Sequence, residues 1–184
     1  MAQSIINSLL FKPPHHDRYN FPSPVLTLVT SRNERIAATF LQRLGATVTV
    51  LFSHGNAEDL SVCYPFMRRL SRQLNVNVIG YDYTGYGAST GEPSEENCYA
   101  DIEAVFRFLL EEENLSPHEI VLYGRSLGSG PSCYLAWTAS RKEQDVGGLI
   151  LHSPFASVYR VVLNFGVTLP GDKFPNIDRI DTVQ

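Results

Sequence analysis

The chain has 184 residues, 43% of them hydrophobic and 11% aromatic, which is enough for one buried core and excludes bulk disorder. Charged residues make up 18%, below the usual ~25% of a soluble domain. The net charge is −4 with no dense basic block, so duplex binding is disfavoured and no nucleic-acid partner is expected.

Residues 1–23 read as an irregular N-terminal segment, broken by Pro13-Pro14 and by Phe21-Pro22-Ser23-Pro24. From residue 24 the pattern alternates between strand and helix. Residues 25–30 and 35–41 are strand-like, with a turn at Ser31-Arg32-Asn33-Glu34, and residues 47–52 form a third strand. Leu60, Cys63, Met67, Leu70 and Leu74 recur at three- and four-residue steps, the spacing of one apolar helix face. Residues 76–81 are the next strand. Tyr99, Ile102, Val105, Phe106, Leu109 and Leu110 mark a second helix with Ser94 as its N-cap. A strand over 119–123, a helix over 127–140 and a strand over 146–151 complete the series. Two antiparallel-looking strands followed by repeated β-α-β units predict an α/β sandwich around a mainly parallel sheet. In such sheets chemistry gathers at the C-terminal edge of the strands.

No apolar run approaches the ~20 residues of a membrane-spanning helix. The apolar Ile5-Ile6 and Leu9-Leu10-Phe11 lack the flank and cleavage site of a secretory signal. Cys63, Cys98 and Cys133 are odd in number and show no CxxC spacing, so free thiols are expected rather than a disulfide framework or a zinc site.

Gly124-Arg125-Ser126-Leu127-Gly128 follows a strand and opens a helix, the context that gives a G-x-S-x-G motif its meaning. A turn this sharp strains its apex and projects Ser126 from the sheet edge, while the helix N-terminus behind it favours developing negative charge. The N–H of Leu127 is placed to be one oxyanion donor. The loop His54-Gly55-Asn56-Ala57, just past the third strand, supplies the second N–H, with Asn56 favoured over Ala57. His54 reads as a residue that orients backbone rather than as a general base. Asp82 reads as a satisfied turn carboxylate. Tyr81, Tyr83 and Tyr86 could line an acyl pocket, but packing of their loop against the core is the safer reading. Arg68, Arg69 and Arg72 read as a solvated helix face in preference to a membrane-facing patch. Gly124, Gly128 and Gly130 also fit a dinucleotide-binding turn; that turn normally follows the first strand of its fold, and no acidic residue closes a strand about 20 residues later.

The blocks Ser53-His54-Gly55-Asn56-Ala57-Glu58-Asp59-Leu60, Gly80-Tyr81-Asp82-Tyr83-Thr84-Gly85-Tyr86-Gly87, Pro93 to Ile102, Leu122 to Pro131 and Leu151-His152-Ser153-Pro154 occur in order. In these the chain resembles the α/β-hydrolase domain-containing 17 family, from about residue 21 onward. The resemblance implies a mainly parallel, doubly wound α/β-hydrolase fold, with a partial hydrolase domain over 24–184 that lacks its last strands and helices. It implies a serine hydrolase that removes palmitate from protein cysteine thioesters, with Ser126 as catalytic nucleophile and Asn56 and Leu127 as the oxyanion hole. No metal or organic cofactor is implied. The expected partners are S-palmitoylated proteins, met in the cytoplasm at the cytosolic face of plasma or endosomal membranes through peripheral contact. Residues 1–20 hold none of the cysteines on which family members are often lipidated, so that route of attachment is absent from the expectation.

The family pattern continues with a strand, the triad Asp, another strand and the triad His. In this chain Phe174-Pro175-Asn176-Ile177-Asp178-Arg179-Ile180 resembles the segment before that strand, and the sequence ends at Gln184. None of His15, His16, His54, His118 and His152 matches the family's catalytic His, and Asp172, Asp178 and Asp181 do not match its Asp. His152 lies at the correct sheet edge but matches a structural position. Two alternatives therefore stand beside depalmitoylation: a truncated, non-catalytic product that binds a lipidated partner or has no function, and a carboxylesterase of small molecules.

Overall fold

The computed structural model describes residues 7, 10–14, 24–158, 160 and 172–181. Within them β1 (Leu26–Val29), β2 (Arg35–Leu41), β3 (Thr49–Ser53), β4 (Asn77–Tyr81), β5 (Ile120–Arg125) and β6 (Gly148–His152) form one sheet in the order β1-β2-β4-β3-β5-β6. β1 and β2 are an antiparallel hairpin with Leu28 opposite Ile36, and β2 pairs antiparallel with β4. The pairs β3–β4, β3–β5 and β5–β6 are parallel. This order makes β3 and β5 neighbours in register, with Ser53 opposite Gly124, so the loop after β3 and the turn after β5 emerge side by side.

Helices cover both faces, as parallel pairing requires. On one face lies α1 (Leu60–Leu74), whose Leu60, Cys63 and Met67 pack on Val50, Phe52 and Val78. A Cβ at Gly80 of β4 would come within 2.6 Å of the Met67 methyl carbon, so the Met67 side chain lies directly over the β4 backbone here. The Asp59 carboxylate caps α1 by accepting the Val62 N–H, and Asn75 ends it in the left-handed region at φ 52°. The buried stripe runs through 60, 63, 67 and 71; Leu74, counted in the apolar face from its spacing, is 62% exposed, and Ser71 takes the inward place. Arg68, Arg69 and Arg72 point outward and are solvated, as read.

On the other face, α2 (Glu95–Glu111) and α3 (Ser129–Ser140) close the larger core over Leu51, Ile79, Ile120 and Leu122. Ser94 caps α2 by accepting the Asn97 N–H, as its position predicts. β5 runs two residues beyond Tyr123, and a single 3₁₀ turn, Ser126–Gly128, separates it from α3, so the helix proper begins later than its composition suggests. A short α4 (Asn176–Ile180) packs against α3.

Two features depart from the reading of 1–23 as an irregular segment. Asn7 and Leu10 are helical, with the Phe11 N–H bonded to the Asn7 carbonyl. Phe11 is 3% exposed and meets Phe174 edge-on at 6.3 Å, so this segment contributes to the core. The cysteines are buried and free. Among the described residues β6 pairs on one side only, and Ile150 on it is 46% exposed.

Candidate active site

β5 delivers the chain to Ser126 and α3 carries it away, and the reversal between them leaves Ser126 exposed at φ 50°. A left-handed backbone costs a non-glycine residue about 1–3 kcal/mol, and here the flanking packing imposes it. A Cβ on Gly124 would sit 2.5 Å from the Gly128 carbonyl oxygen, and one on Gly128 would sit 2.1 Å from that of Ser53. The two glycines of the motif therefore let the turn close on itself and on the end of β3. Gly130 serves the core, since its Cβ would strike the Phe174 ring at 2.3 Å. All three glycines are accounted for by packing, and the turn follows β5 rather than the first parallel strand, which removes the dinucleotide-binding alternative. The Ser129 hydroxyl donates to the Ser126 carbonyl at 2.7 Å and fixes the start of α3.

The loop after β3 lies against this turn: a Cβ at Gly55 would be 3.8 Å from the Ser126 Cβ. Among the described residues the Asn56 N–H has no hydrogen-bond acceptor. Leu127, in the first turn of a helix, has no intrahelical acceptor for its own N–H. The loop and the turn thus each leave one backbone N–H without a protein acceptor among the described residues.

The side chains around the loop hold it. The Asn56 amide donates to the Leu10 carbonyl at 2.7 Å, and its oxygen accepts from the Lys12 N–H at 2.9 Å and the Tyr86 hydroxyl at 2.7 Å. The Tyr83 hydroxyl donates to the His54 carbonyl at 2.7 Å, and those of Tyr81 and Ser53 meet at 2.9 Å. Tyr81, Tyr83 and Tyr86 are fully buried, so they pack the loop and line no acyl pocket.

His54 is 1% exposed, with Nδ1 2.8 Å from the Gly55 carbonyl and its ring against Tyr83 at 4.3 Å. Burial lowers its pKa against an opposing pull from Asp82, so the neutral ring donates from Nδ1 and orients the loop. Asp82 is fully buried and accepts the Leu60 N–H at 2.8 Å, at the N-terminus of α1. It is a satisfied carboxylate: beside Leu60, 22 residues away, the Ala88 N–H of its own loop donates to Oδ2 at 3.5 Å. His152 meets the Tyr123 hydroxyl at 3.1 Å, and His118 precedes β5, at the end of the strand opposite Ser126. His15 and His16 lie outside the described residues. Among the described residues no histidine hydrogen bonds to the Ser126 hydroxyl, and none of their His, Cys, Asp and Glu side chains group as a metal site.

One contact had no sequence signal. The Arg125 guanidinium grips Glu58 with Nε at 3.0 Å from Oε2 and Nη2 at 2.7 Å from both carboxylate oxygens. Glu58 Oε2 also accepts the Gly55 N–H at 2.7 Å. The partners are 67 positions apart, and neither belongs to the motif's invariant letters.

Comparison with known proteins agrees with this geometry. A family model described as alpha/beta hydrolase fold matches residues 48–175. The chain belongs to the alpha/beta hydrolase family. Its curated relatives include alpha/beta hydrolase domain-containing protein 17B of Homo sapiens, 43% identical over 156 residues, which cover 84% of this chain and 52% of that protein. Protein 17C of Mus musculus is 42% identical, with 84% and 47% covered, and protein aho-3 of Caenorhabditis elegans 43%, with 84% and 46% covered. This alpha/beta hydrolase chain thus spans about half the length of these relatives. In fold it resembles an alpha-beta hydrolase from Vibrio vulnificus at a TM-score of 0.74 and 23% identity, covering 86% of this chain and 59% of that one. An esterase from Pyrococcus furiosus superposes at a TM-score of 0.64 and 15% identity over 95% of this chain and 70% of its own.

Proposed function

We propose that this protein is a serine hydrolase that cleaves palmitoyl thioesters from protein cysteines, with Ser126 as nucleophile. The observation that carries the reading is the exposed Ser126 at φ 50° on a strand–helix turn, flanked by two backbone N–H groups. Ser126 Oγ attacks the thioester carbonyl, and the N–H groups of Leu127 and Asn56 receive the oxyanion. Collapse of the tetrahedral species breaks the C–S bond, releases the cysteine sulfur and leaves an acyl-serine, which water hydrolyses to palmitate. A general base takes the Ser126 proton and passes it to the departing cysteine sulfur, then takes a proton from the attacking water and returns one to Ser126 Oγ; among the described residues no histidine is bonded to that hydroxyl. The palmitoyl specificity is what the resemblance to the domain-containing 17 family implies; the relatives of that name support the family. Such substrates are held at membranes by their acyl chains, so the enzyme works at the cytosolic face by peripheral contact.

The test is labelling of the purified chain with a fluorophosphonate probe, followed by hydrolysis assays on a palmitoylated peptide beside a panel of small esters. Labelling that disappears in Ser126→Ala is expected, with turnover of the palmitoylated peptide in preference to the esters. Preference for the esters overturns the thioesterase reading. No labelling of a chain that is folded by circular dichroism overturns catalysis by this chain and leaves it a binding form.

A further inference from the structure

The proposed oxyanion hole draws its two donors from separate elements, Asn56 from the loop after β3 and Leu127 from the turn after β5. Both N–H groups must lie within about 2.7–3.1 Å of one oxygen, so their relative placement is a requirement of the chemistry. Backbone pairing ends at Ser53 and Gly124, short of either donor. Something beyond the sheet has to set the distance between them.

We propose that Arg125 and Glu58 form a clamp that fixes the Asn56 loop against the Ser126 turn, making both of them positioning residues for the oxyanion hole; this rests on the reading of Ser126 as nucleophile. Arg125 is the residue immediately before the serine, and Glu58 lies two residues after Asn56. Their bond is bidentate, the geometry in which a guanidinium and a carboxylate fix each other's orientation as well as distance. The carboxylate then transmits that position to the loop backbone through the Gly55 N–H, next to the donor at Asn56. A Cβ at Gly55 would come within 2.8 Å of Glu58 Oε2, so the loop carries a glycine where the carboxylate must approach the backbone.

The guanidinium is fixed in turn. Its carbon lies 5.1 Å from the Phe52 ring centre and 5.0 Å from that of Phe66, joining the clamp to β3 and α1. Side-chain exposure of 19% for Arg125 and 26% for Glu58 marks a pair partly withdrawn from water, where charge-assisted bonds hold geometry better than on an open surface. Nothing in the G-x-S-x-G motif requires an arginine at its second position.

The experiment measures fluorophosphonate labelling rates on the full chain as a function of probe concentration, alongside thermal melting and amide exchange by mass spectrometry. Arg125→Ala is expected to slow the maximal labelling rate about 10- to 100-fold with little change in the half-saturating concentration. Glu58→Gln keeps an oxygen for the Gly55 N–H and is expected to fall between wild type and Arg125→Ala. Wild-type rates in Arg125→Ala overturn the clamp, as does a loss that merely follows the unfolded fraction. Should the wild type fail to label, the nucleophile reading falls and exchange decides the clamp separately. Exchange over 53–59 about tenfold faster in Arg125→Ala, with α2 unchanged, upholds the cross-link between the loops; unchanged exchange overturns it.

Discussion

At the scale of single residues, the site depends on where side chains are missing as much as on where they are present. Ser126 adopts φ 50° because β5 and α3 meet too sharply for any other backbone, and that meeting is possible only where Gly124 and Gly128 lack a Cβ. Gly128 is the tighter of the two, since its Cβ would enter the Ser53 and His54 carbonyls at 2.1 and 2.9 Å, both backbone atoms that cannot rotate away. Gly128→Ala is therefore expected to destabilise the fold by about 3 kcal/mol or more, the upper end of overpacking costs. Urea denaturation checks this, and a change below about 1 kcal/mol would mean that the turn relaxes at little cost. The exposed serine and the glycines around it are legible because one motif in one strand–helix context forces them. Arg125 lies within that motif, but its role is not legible from it: its partner is distant in sequence, and pairing across 67 residues is decided by the β3–β5 adjacency.

At the scale of elements, periodicity carried most of the reading. Six strands and three long helices lie where alternation and three- or four-residue spacing put them, because each must bury one face in a two-sided sandwich. The errors fall at ends, where no periodic signal remains: β5 gains Gly124 and Arg125, and Leu74 lies beyond the stripe that α1 presents to the sheet. The prolines of the N-terminal segment predict an irregular chain, yet Leu10 and Lys12 are bonded to Asn56 and Phe11 enters the core. Proline reports on local backbone and says nothing of what an extended segment docks against. The docked side chain fastens the N-terminal segment while the Asn56 N–H is left without an acceptor among the described residues. Asn56→Ala removes three hydrogen bonds from the loop, two of them to main-chain groups of that segment. A loss of about 2 kcal/mol is expected, with faster amide exchange over 10–12. Because the donor proposed at position 56 is the backbone, labelling of Ser126 should fall less than in Arg125→Ala; the reverse order would place the N-terminal segment, not the clamp, as the main support of the loop.

At the scale of the whole molecule, buried titratable groups tie the site to the global stability. Asp101 on α2 is fully buried and receives the Thr84 N–H at 2.8 Å and the Thr84 hydroxyl at 2.7 Å. Thr84 adjoins Tyr83, whose hydroxyl holds the His54 carbonyl, so a chain of contacts runs from α2 to the loop beside Ser126. Burial outweighs the two bonds from Thr84 and pushes the Asp101 carboxyl up from its ordinary 3.8 to about 7. Between those values the folded protein holds a proton that the unfolded chain has released, so this group's contribution to stability falls as pH rises from 3.8 to about 7 and is constant above. His54 acts in the opposite sense: its lowered pKa means the unfolded chain takes up the proton first, and stability is lost as pH drops below its ordinary 6.5. The two slopes oppose each other over the same window, and a substitution at one exposes the other. Asp101→Asn keeps the shape of the neutral acid and can serve Thr84 through its amide. Its stability relative to wild type is therefore expected to grow steadily from about pH 4 to about pH 7 and then level off, as read from urea denaturation across that range. A difference that stays constant with pH would mean that Asp101 is ionised throughout, and that its bonds from Thr84 outweigh its burial.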